Sequence, residues 1–339
     1  MKSRISDIIN FLSKLSFRKI LNYSKLRLSY SLSLFFRQAI IKGLPASLAI
    51  EPTTSCNLKC PECPSGLRQF TRKTGNMDLT LYKSIIDQSY KELIYLLIYF
   101  QGEPFLHPGF FEMVKYATRK GIYTATSTNA HFLDPENARK TVTSGLDRII
   151  ISIDGTTQES YEKYRIGGKL QKVLNGTQNL IQAKKELGSK KPYIIYQFVV
   201  FRSNENEIQE IKKLAKKMGV DEVKIKSAQF YNLNSSNDLI PTKTRYLRYQ
   251  KSENNYALKY KTPNKCWRSW HAPVITVGGK MVPCCFDKDA VHEFGDLKEN
   301  KLKKVFVGNE SKTFKSQILK NRKQFDICRN CTEGIRVFK

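Results

Sequence analysis

The sequence predicts an α/β protein, with a core of βα units around a parallel sheet and a small, cysteine-bearing C-terminal module. Three observations carry this. Between Ser47 and about Ser227, six apolar strand-like runs alternate with five segments of helical period. Four of those helical segments run into a glycine, the residue that best closes a helix in the left-handed conformation. The eight cysteines divide into an early triplet and a late group of five, which is ligand spacing rather than a disulfide framework.

Residues 1–46 come first. They alternate apolar clusters such as Ile8-Ile9 and Phe11-Leu12 with Lys14, Arg18, Lys19, Lys25, Arg27 and Arg37, as two amphipathic helices would. A basic amphipathic segment can lie on a membrane surface or pack over one end of a barrel, and packing is the expectation. Strands are expected at 47–52, 94–101, 122–127, 148–153, 193–201 and 222–227. Helices are expected at 80–92, 109–120, 135–144, 171–187 and 205–218, the first excepted ending before Gly121, Gly145, Gly188 and Gly219. Six strands are too few to close an eight-stranded barrel. Residues 229–265, with Asn232, Asn234, Ser235, Ser236, Asn237 and Pro241, read as a linker or covering loop. In the module from 266 onward, residues 276–281 read as a β-hairpin turn. The expected division is thus 1–46, 47–228, 229–265 and 266–339.

With 339 residues, 40% of them hydrophobic, the chain can bury a core. It has no apolar run of the roughly 18 residues that a membrane span needs. Arg4, Asp7 and Lys14 interrupt any signal-peptide core, so retention in the reducing cytoplasm is expected. The formal charge of +28 could suit an anionic partner, but only residues 1–46, with nine basic residues and one acidic, concentrate it. RNA modification is suggested by charge alone, since no RNA-binding motif is present and nucleic acid is not an expected partner.

The chemistry begins at the end of the first strand. After Leu48-Ala49-Ile50 comes Glu51-Pro52-Thr53-Thr54-Ser55, then Cys56, Cys60 and Cys63, separated by three and two residues. Zinc sites usually pair two C-x-x-C knuckles, and plant-type ferredoxins space their cysteines differently. Three thiolates on a 4Fe-4S cluster leave one iron with an open position, as catalytic metal sites do.

The C-x3-C-x2-C spacing after a first strand resembles the signature of the radical S-adenosylmethionine family, and a partial (β/α)6 barrel is the fold that resemblance implies. It also implies that the open iron is chelated by the methionine group of S-adenosylmethionine, which an electron cleaves to a 5′-deoxyadenosyl radical. An electron donor such as flavodoxin or ferredoxin is then needed. Gln101-Gly102-Glu103-Pro104 resembles the family's glycine-glycine-glutamate-proline turn, with Gln101 in place of its first glycine. Gly102 and Glu103 then face the methionine ammonium, and Asn129 of Ser127-Thr128-Asn129 lines the cavity. By the same resemblance Ser152 and Arg165 hold the cofactor's carboxylate and ribose, with Asp154 nearby. A guanidinium fork suits a carboxylate.

Cys266, Cys284, Cys328 and Cys331 resemble the ligands of one auxiliary 4Fe-4S cluster in a SPASM or twitch extension. Cys285 is then spare. A four-cysteine zinc site is the alternative. Only eight residues follow Cys331, so the one-cluster version is expected. Hydrogen abstraction leaves one electron and one proton to remove, and a second cluster can accept the electron. Asp287 and Lys226 are candidate bases. His107 and His131 lie just beyond strand ends and could face the cavity, but no ligand spacing links the four histidines. The leading expectation is two-electron dehydrogenation of a small polar substrate such as a sugar or cyclitol, as in a family member that oxidises an inosamine. The alternative is maturation of a ribosomal precursor peptide, although the 46-residue head reads as short for a precursor-recognition domain. A non-catalytic electron carrier would leave Glu103, Ser152 and Arg165 without a purpose.

Overall fold

The computed structural model describes residues 2–230, 233, 238–252 and 255–333. Two helices lead, α1 (Lys2–Ser13) and α2 (Phe17–Phe36). Six parallel strands follow: β1 (Ser47–Ile50), β2 (Tyr95–Ile98), β3 (Tyr123–Thr128), β4 (Arg148–Ser152), β5 (Tyr193–Val200) and β6 (Glu222–Ser227). They lie side by side in chain order, which is the winding of a barrel rather than of a doubly wound sheet. Between them run α3 (Leu79–Ser89), α4 (Phe110–Arg119), α5 (Pro135–Thr143), α6 (Leu170–Glu186) and α7 (Ile208–Met218).

Each expected strand and helix is present within a few residues of its expected bounds. The period of two explains the layering. Leu48, Ile50, Leu96, Ile98, Ile149 and Ile151 turn to the helices and form the core with them. The other face of the sheet carries Ser152 and, paired with it, Gln197, which line an interior cavity. Gly121, Gly145, Gly188 and Gly219 all have positive φ, as their place after a helix requires.

Residues 1–46 pack across the amino ends of the strands. Asp7 pairs with Arg148 and accepts a hydrogen bond from Tyr123, while Asn10 Nδ2 donates to Asp147 at 2.9 Å. Lys19 Nζ donates to the Gly121 carbonyl at 2.6 Å, and burial lowers this ammonium to about 8. Farther along α2, Tyr30 meets Trp270 of α8 (Trp267–His271) edge on at 5.1 Å.

The segment expected as an irregular linker is partly ordered, and here the structure corrects the sequence. It contains a hairpin, β7 (Tyr249–Ser252) with β8 (Asn255–Leu258), and Phe230, Ile240, Leu247 and Tyr249 bury themselves against Phe201. Its polar run 234–237, and Asn232 before it, lie outside the described residues.

The C-terminal module does not sit apart from the barrel sheet. Strand β9 (Val274–Ile275) pairs in parallel with β1, so β9, β10 (Lys280–Val282) and β11 (Gly295–Asp296) extend the sheet to nine strands. The hairpin turn expected at 276–281 joins β9 to β10. One ion pair pins the junction. Glu51, fully buried, receives both ends of the Arg72 guanidinium at 2.7 and 2.8 Å and the Val277 amide at 3.0 Å. Arg72 Nε also donates to the Lys288 carbonyl at 2.7 Å.

Arg72→Met should therefore strand a buried carboxylate and cost about 3–5 kcal/mol. Chemical denaturation measures this, and Glu51→Gln in the same chain should recover part of the loss. An unchanged unfolding midpoint in the single variant would contradict the role of the pair.

Candidate active site

Loops at the carboxyl ends of the strands enclose a cavity of about 240 Å³. The loop after β1 brings Cys56, Cys60 and Cys63 to its wall, and a single helical turn (Pro64–Leu67) begins directly after Cys63. Tight backbone packing holds this loop. A Cβ on Gly66 would stand 2.6 Å from the Cys60 amide nitrogen, and one on Gly102 would stand 2.3 Å from the Thr53 carbonyl, at a φ of +74°. The Glu103 amide donates to Ser55 O at 2.7 Å, which ties the second motif to the first.

Glu103 is 1% exposed. Its carboxylate accepts from Thr128 Oγ1 at 2.6 Å and from the Asn129 amide at 2.8 Å. Among the described residues it has no ion-pair partner, and burial pushes its carboxyl up to about 7. A buried acid that has hydrogen bonds but lacks a counter-charge suits a ligand ammonium. Asn129 lines the same wall, its Nδ2 donating to Asn57 Oδ1 at 2.8 Å and lying 4.0 Å from Cys56 Sγ. Ser152 and Arg165 line the opposite side.

Asp154 departs from its expected place among the ligand contacts. It is fully buried behind Arg165, accepting from that guanidinium at 2.6 Å and from the Val199 amide at 2.7 Å. Its position makes it a support that aims Arg165, whose other arm reaches to 3.9 Å from Cys60 Sγ.

Neither candidate base reaches the cavity. Asp287 accepts the amides of Val291 and His292 at 2.8 and 2.9 Å, so its carboxylate closes a loop. Lys226 is exposed near the end of β6; burial of part of its stem and the nearby Lys224, Arg248 and Arg268 lower its ammonium. The histidines serve as ties: His107 bonds Met77 O and the Gly109 amide, and His131 bonds Asn129 O and the Lys169 amide.

The cavity wall includes residues that sequence reasoning missed, namely Tyr99, Tyr164, Gln197 and Lys288. Burial lowers the Lys288 ammonium, with Cys63, Cys285 and Glu62 near enough to oppose it, so this lysine stands near both thiol groups. Period-two pairing could have found Tyr99 and Gln197, which fall on the inward face of β-strand register. Lys288 lies in a loop with no periodic signal.

The thiols fit anionic iron-sulfur ligation by chemistry. Burial raises Cys56 to about 12 and also raises Cys60, with Arg165 opposing it at Cys60, so each thiolate needs a cationic partner of the kind a metal centre supplies. In the second group, Cys266, Cys284, Cys328 and Cys331 are buried together, while Cys285 turns toward Arg268 at 3.9 Å. Lys315 and Arg322 are fully buried beside them and, among the described residues, form no ion pair with a carboxylate. Lys315 Nζ has Ser311 Oγ at 2.6 Å and lies over the Phe306 ring at 4.3 Å; Arg322 donates to Cys331 Sγ at 3.1 Å. Burial lowers the Lys315 ammonium to about 7 with Cys266 opposing it, so a charged Lys315 and the Arg322 guanidinium both call for the negative charge of ligated thiolates. Among the described residues no three His, Cys, Asp or Glu side chains converge on a point for a single ion, so the fit rests on donor chemistry and surrounding charge.

The sequence model of the Radical SAM superfamily matches residues 50–215, and that of SPASM, an iron-sulfur cluster-binding domain, matches 266–332. The chain is 29% identical over 259 residues to the PqqA peptide cyclase of Gluconobacter oxydans, covering 71% of this chain and 70% of that one. It is 30% identical over 180 residues to the mycofactocin maturase MftC of Mycobacterium tuberculosis, 52% of this chain and 44% of that one. Among solved structures, Streptococcus suis SuiB bound to its precursor peptide SuiA superposes with a TM-score of 0.64 at 13% identity, covering 91% of this chain and 74% of that one.

Two outcomes follow from this geometry. Glu103→Gln should weaken S-adenosylmethionine binding roughly tenfold to a hundredfold, the worth of about 1.5–3 kcal/mol for a charge-assisted hydrogen bond; equilibrium binding to iron-loaded protein reads this, and unchanged affinity would remove Glu103 from the site. Lys315→Met should move the reduction potential of the C-terminal centre to more negative values in a titration followed by electron paramagnetic resonance, because a positive charge beside it is lost.

Proposed function

Since the chain belongs to the radical S-adenosylmethionine family and carries a SPASM iron-sulfur module, we propose that it matures a ribosomally made precursor peptide, oxidising or crosslinking one of its side chains. The observation that carries this is the likeness to the PqqA peptide cyclase. At 259 residues it is longer than the barrel alone, so it takes in residues outside the barrel as well. The likeness to a mycofactocin maturase supports the same class. These relatives support the peptide reading better than oxidation of a sugar or cyclitol, which the cysteine spacing had put first.

When bound, the cluster at Cys56, Cys60 and Cys63 with S-adenosylmethionine supplies a 5′-deoxyadenosyl radical, and the centre at Cys266, Cys284, Cys328 and Cys331 supplies an electron acceptor. This chain's residues do the positioning. Glu103 takes the cofactor ammonium, with its oxygens fixed by Thr128 and Asn129. Arg165, aimed by Asp154, and Ser152 take the carboxylate and ribose. Glu51 and Arg72 hold the loop carrying Lys288 against the cavity that Cys56, Cys60 and Cys63 line, so the target side chain is confined beside the first thiol group. In the balance, the peptide gives up one hydrogen atom to the radical, then one electron and one proton, losing two hydrogens in all.

The test is reaction of the reconstituted holoenzyme with S-adenosylmethionine, dithionite and the short peptides encoded beside its gene. Loss of two hydrogens from one such peptide, matched by 5′-deoxyadenosine, is the expected result. Matched 5′-deoxyadenosine and ketone from a cyclitol, with every peptide unchanged, would sink the peptide reading and restore the small-molecule one.

A further inference from the structure

Helices α1 and α2 pack the wrong way round for a surface helix of a globular protein. The face of α2 turned into the protein carries Lys19, Asn22, Leu26, Ser29, Tyr30 and Ser33. Most of that face is polar. The rest of its circumference carries the exposed Phe17, Ile20, Leu21, Tyr23, Leu28, Leu34, Phe35 and Phe36, which at 100° per residue spread over an arc of about 220° centred on Phe17, Leu28 and Phe35. Phe17 and Phe35 are 82% and 81% exposed. The first helix repeats the inversion. Asp7 faces inward against Arg148, beside Phe11 whose ring meets Tyr123 at 5.2 Å, while Ile5, Ile8, Ile9 and Leu12 form an outward stripe about 100° wide. Of fifteen exposed large hydrophobic side chains among the described residues, twelve lie between Ile5 and Phe36. Such a concentration marks a contact surface, since scattered exposed apolar residues are ordinary and a continuous patch is not.

Charge selects the occupant. Arg4, Lys25, Arg37 and Lys42 are exposed around these stripes, as are Arg18, which pairs with Glu92 at 2.6 Å, and Arg27, whose guanidinium lies over the Trp267 ring at 4.7 Å. The segment's sole acidic residue, Asp7, is buried in its pair with Arg148 and offers nothing to the outside. A second copy of the chain would bring the same cations face to face. An anionic lipid surface instead supplies both an apolar layer for the stripes and negative charge for their borders. Among the described residues no helix is long and apolar enough to cross a membrane, so contact is confined to the surface. We propose that the outer face of α1 and α2 docks this protein on anionic lipid bilayers, with both helices in the plane of the interface. The docked face covers the amino ends of the barrel strands, and the cavity opens at their carboxyl ends, so substrate access is left clear.

Flotation of the full-length holoprotein with vesicles tests this. Vesicles of phosphatidylcholine and phosphatidylglycerol in equal parts should carry it upward, and pure phosphatidylcholine should carry at least roughly tenfold less, given about 1 kcal/mol for each basic residue near an anionic surface. Phe17→Asp with Phe35→Asp should lower binding at least tenfold while iron content and circular dichroism stay unchanged. Arg4→Glu with Lys25→Glu, two exposed positions, should lower it by the charge route and keeps the test decisive if the first variant fails to fold. No flotation, equal flotation with both lipids, or variants that bind like the parent would overturn the proposal. So would a protein dimer that forms without lipid and is lost on the phenylalanine substitutions, since a second copy would then own the face.

Discussion

A single buried fork, Arg72 on Glu51, sets the relation between the two thiol groups. Glu51 follows β1 directly, five residues before the first cysteine, and the same carboxylate receives the Val277 amide from the turn that follows β9. Arg72 in turn holds the Lys288 carbonyl. One carboxylate thus orients the cysteine loop, the hairpin of the C-terminal module and the loop that closes the cavity. A buried ion pair contributes little net stability when its desolvation is counted, but it is costly to break and exacting in geometry. That is the property wanted where two redox centres must keep a fixed separation while the sheet runs continuously between them.

The two thiol groups differ in the unpaired buried groups set beside them. Around Cys56, Cys60 and Cys63 the protein leaves a buried carboxyl, Glu103, that among the described residues has hydrogen bonds but no ion pair, the nearby Arg165 being paired with Asp154. Around Cys266, Cys328 and Cys331 it leaves buried basic side chains, Lys315 and Arg322, that among the described residues pair with no carboxylate, and burial lowers the Lys315 ammonium to about 7 with Cys266 opposing it. An isolated charge in a protein interior is expensive, so each arrangement points to what completes it. The first suits a ligand that brings a positive group together with a metal centre. The second suits a centre that is fully ligated by thiolates and needs its negative charge offset. A site that binds and cleaves a cofactor and a site that only passes electrons would differ in this way.

Much of this was legible in the sequence because it rests on short-range rules. Strands β1, β2 and β4 show period-two burial, four of the five barrel helices end at glycine, and the cysteine triplet, Gln101-Gly102-Glu103 and Arg165 each follow a strand end. What was not legible depends on long-range placement. Nothing local in Tyr249 or Phe230 says that they will find Phe201 and turn a supposed linker into a packed hairpin. Nothing in Val274-Ile275 says that they will pair with β1, more than 220 residues earlier. Asp287 and Lys226 looked like bases because acids and amines near ligands often are, yet backbone amides occupy the first, and the second, though on the Gln197 face of the sheet by register, is exposed and stands outside the cavity lining. Lys288, one residue after Asp287, reaches the cavity instead, and a difference of one position in a loop has no sequence signature.

The leading helices show a deeper limit of periodicity. An amphipathic pattern says that a helix has two faces and is silent on which one the protein keeps. Here the usual inference, apolar side inward, fails because the amino ends of the barrel strands offer polar groups: the Gly121 carbonyl, Asp147, Arg148 and the Tyr123 hydroxyl. A helix that satisfies those groups must present Lys19, Asn10 and Asp7 to them, and its apolar residues are then turned away by geometry. The barrel end therefore decides the orientation, and the exposed stripe follows from satisfying buried polar groups rather than from any failure of packing. An apolar face left outward for that reason persists only if something apolar meets it, so the polar floor of the barrel and the lipid-facing stripe are two sides of one constraint.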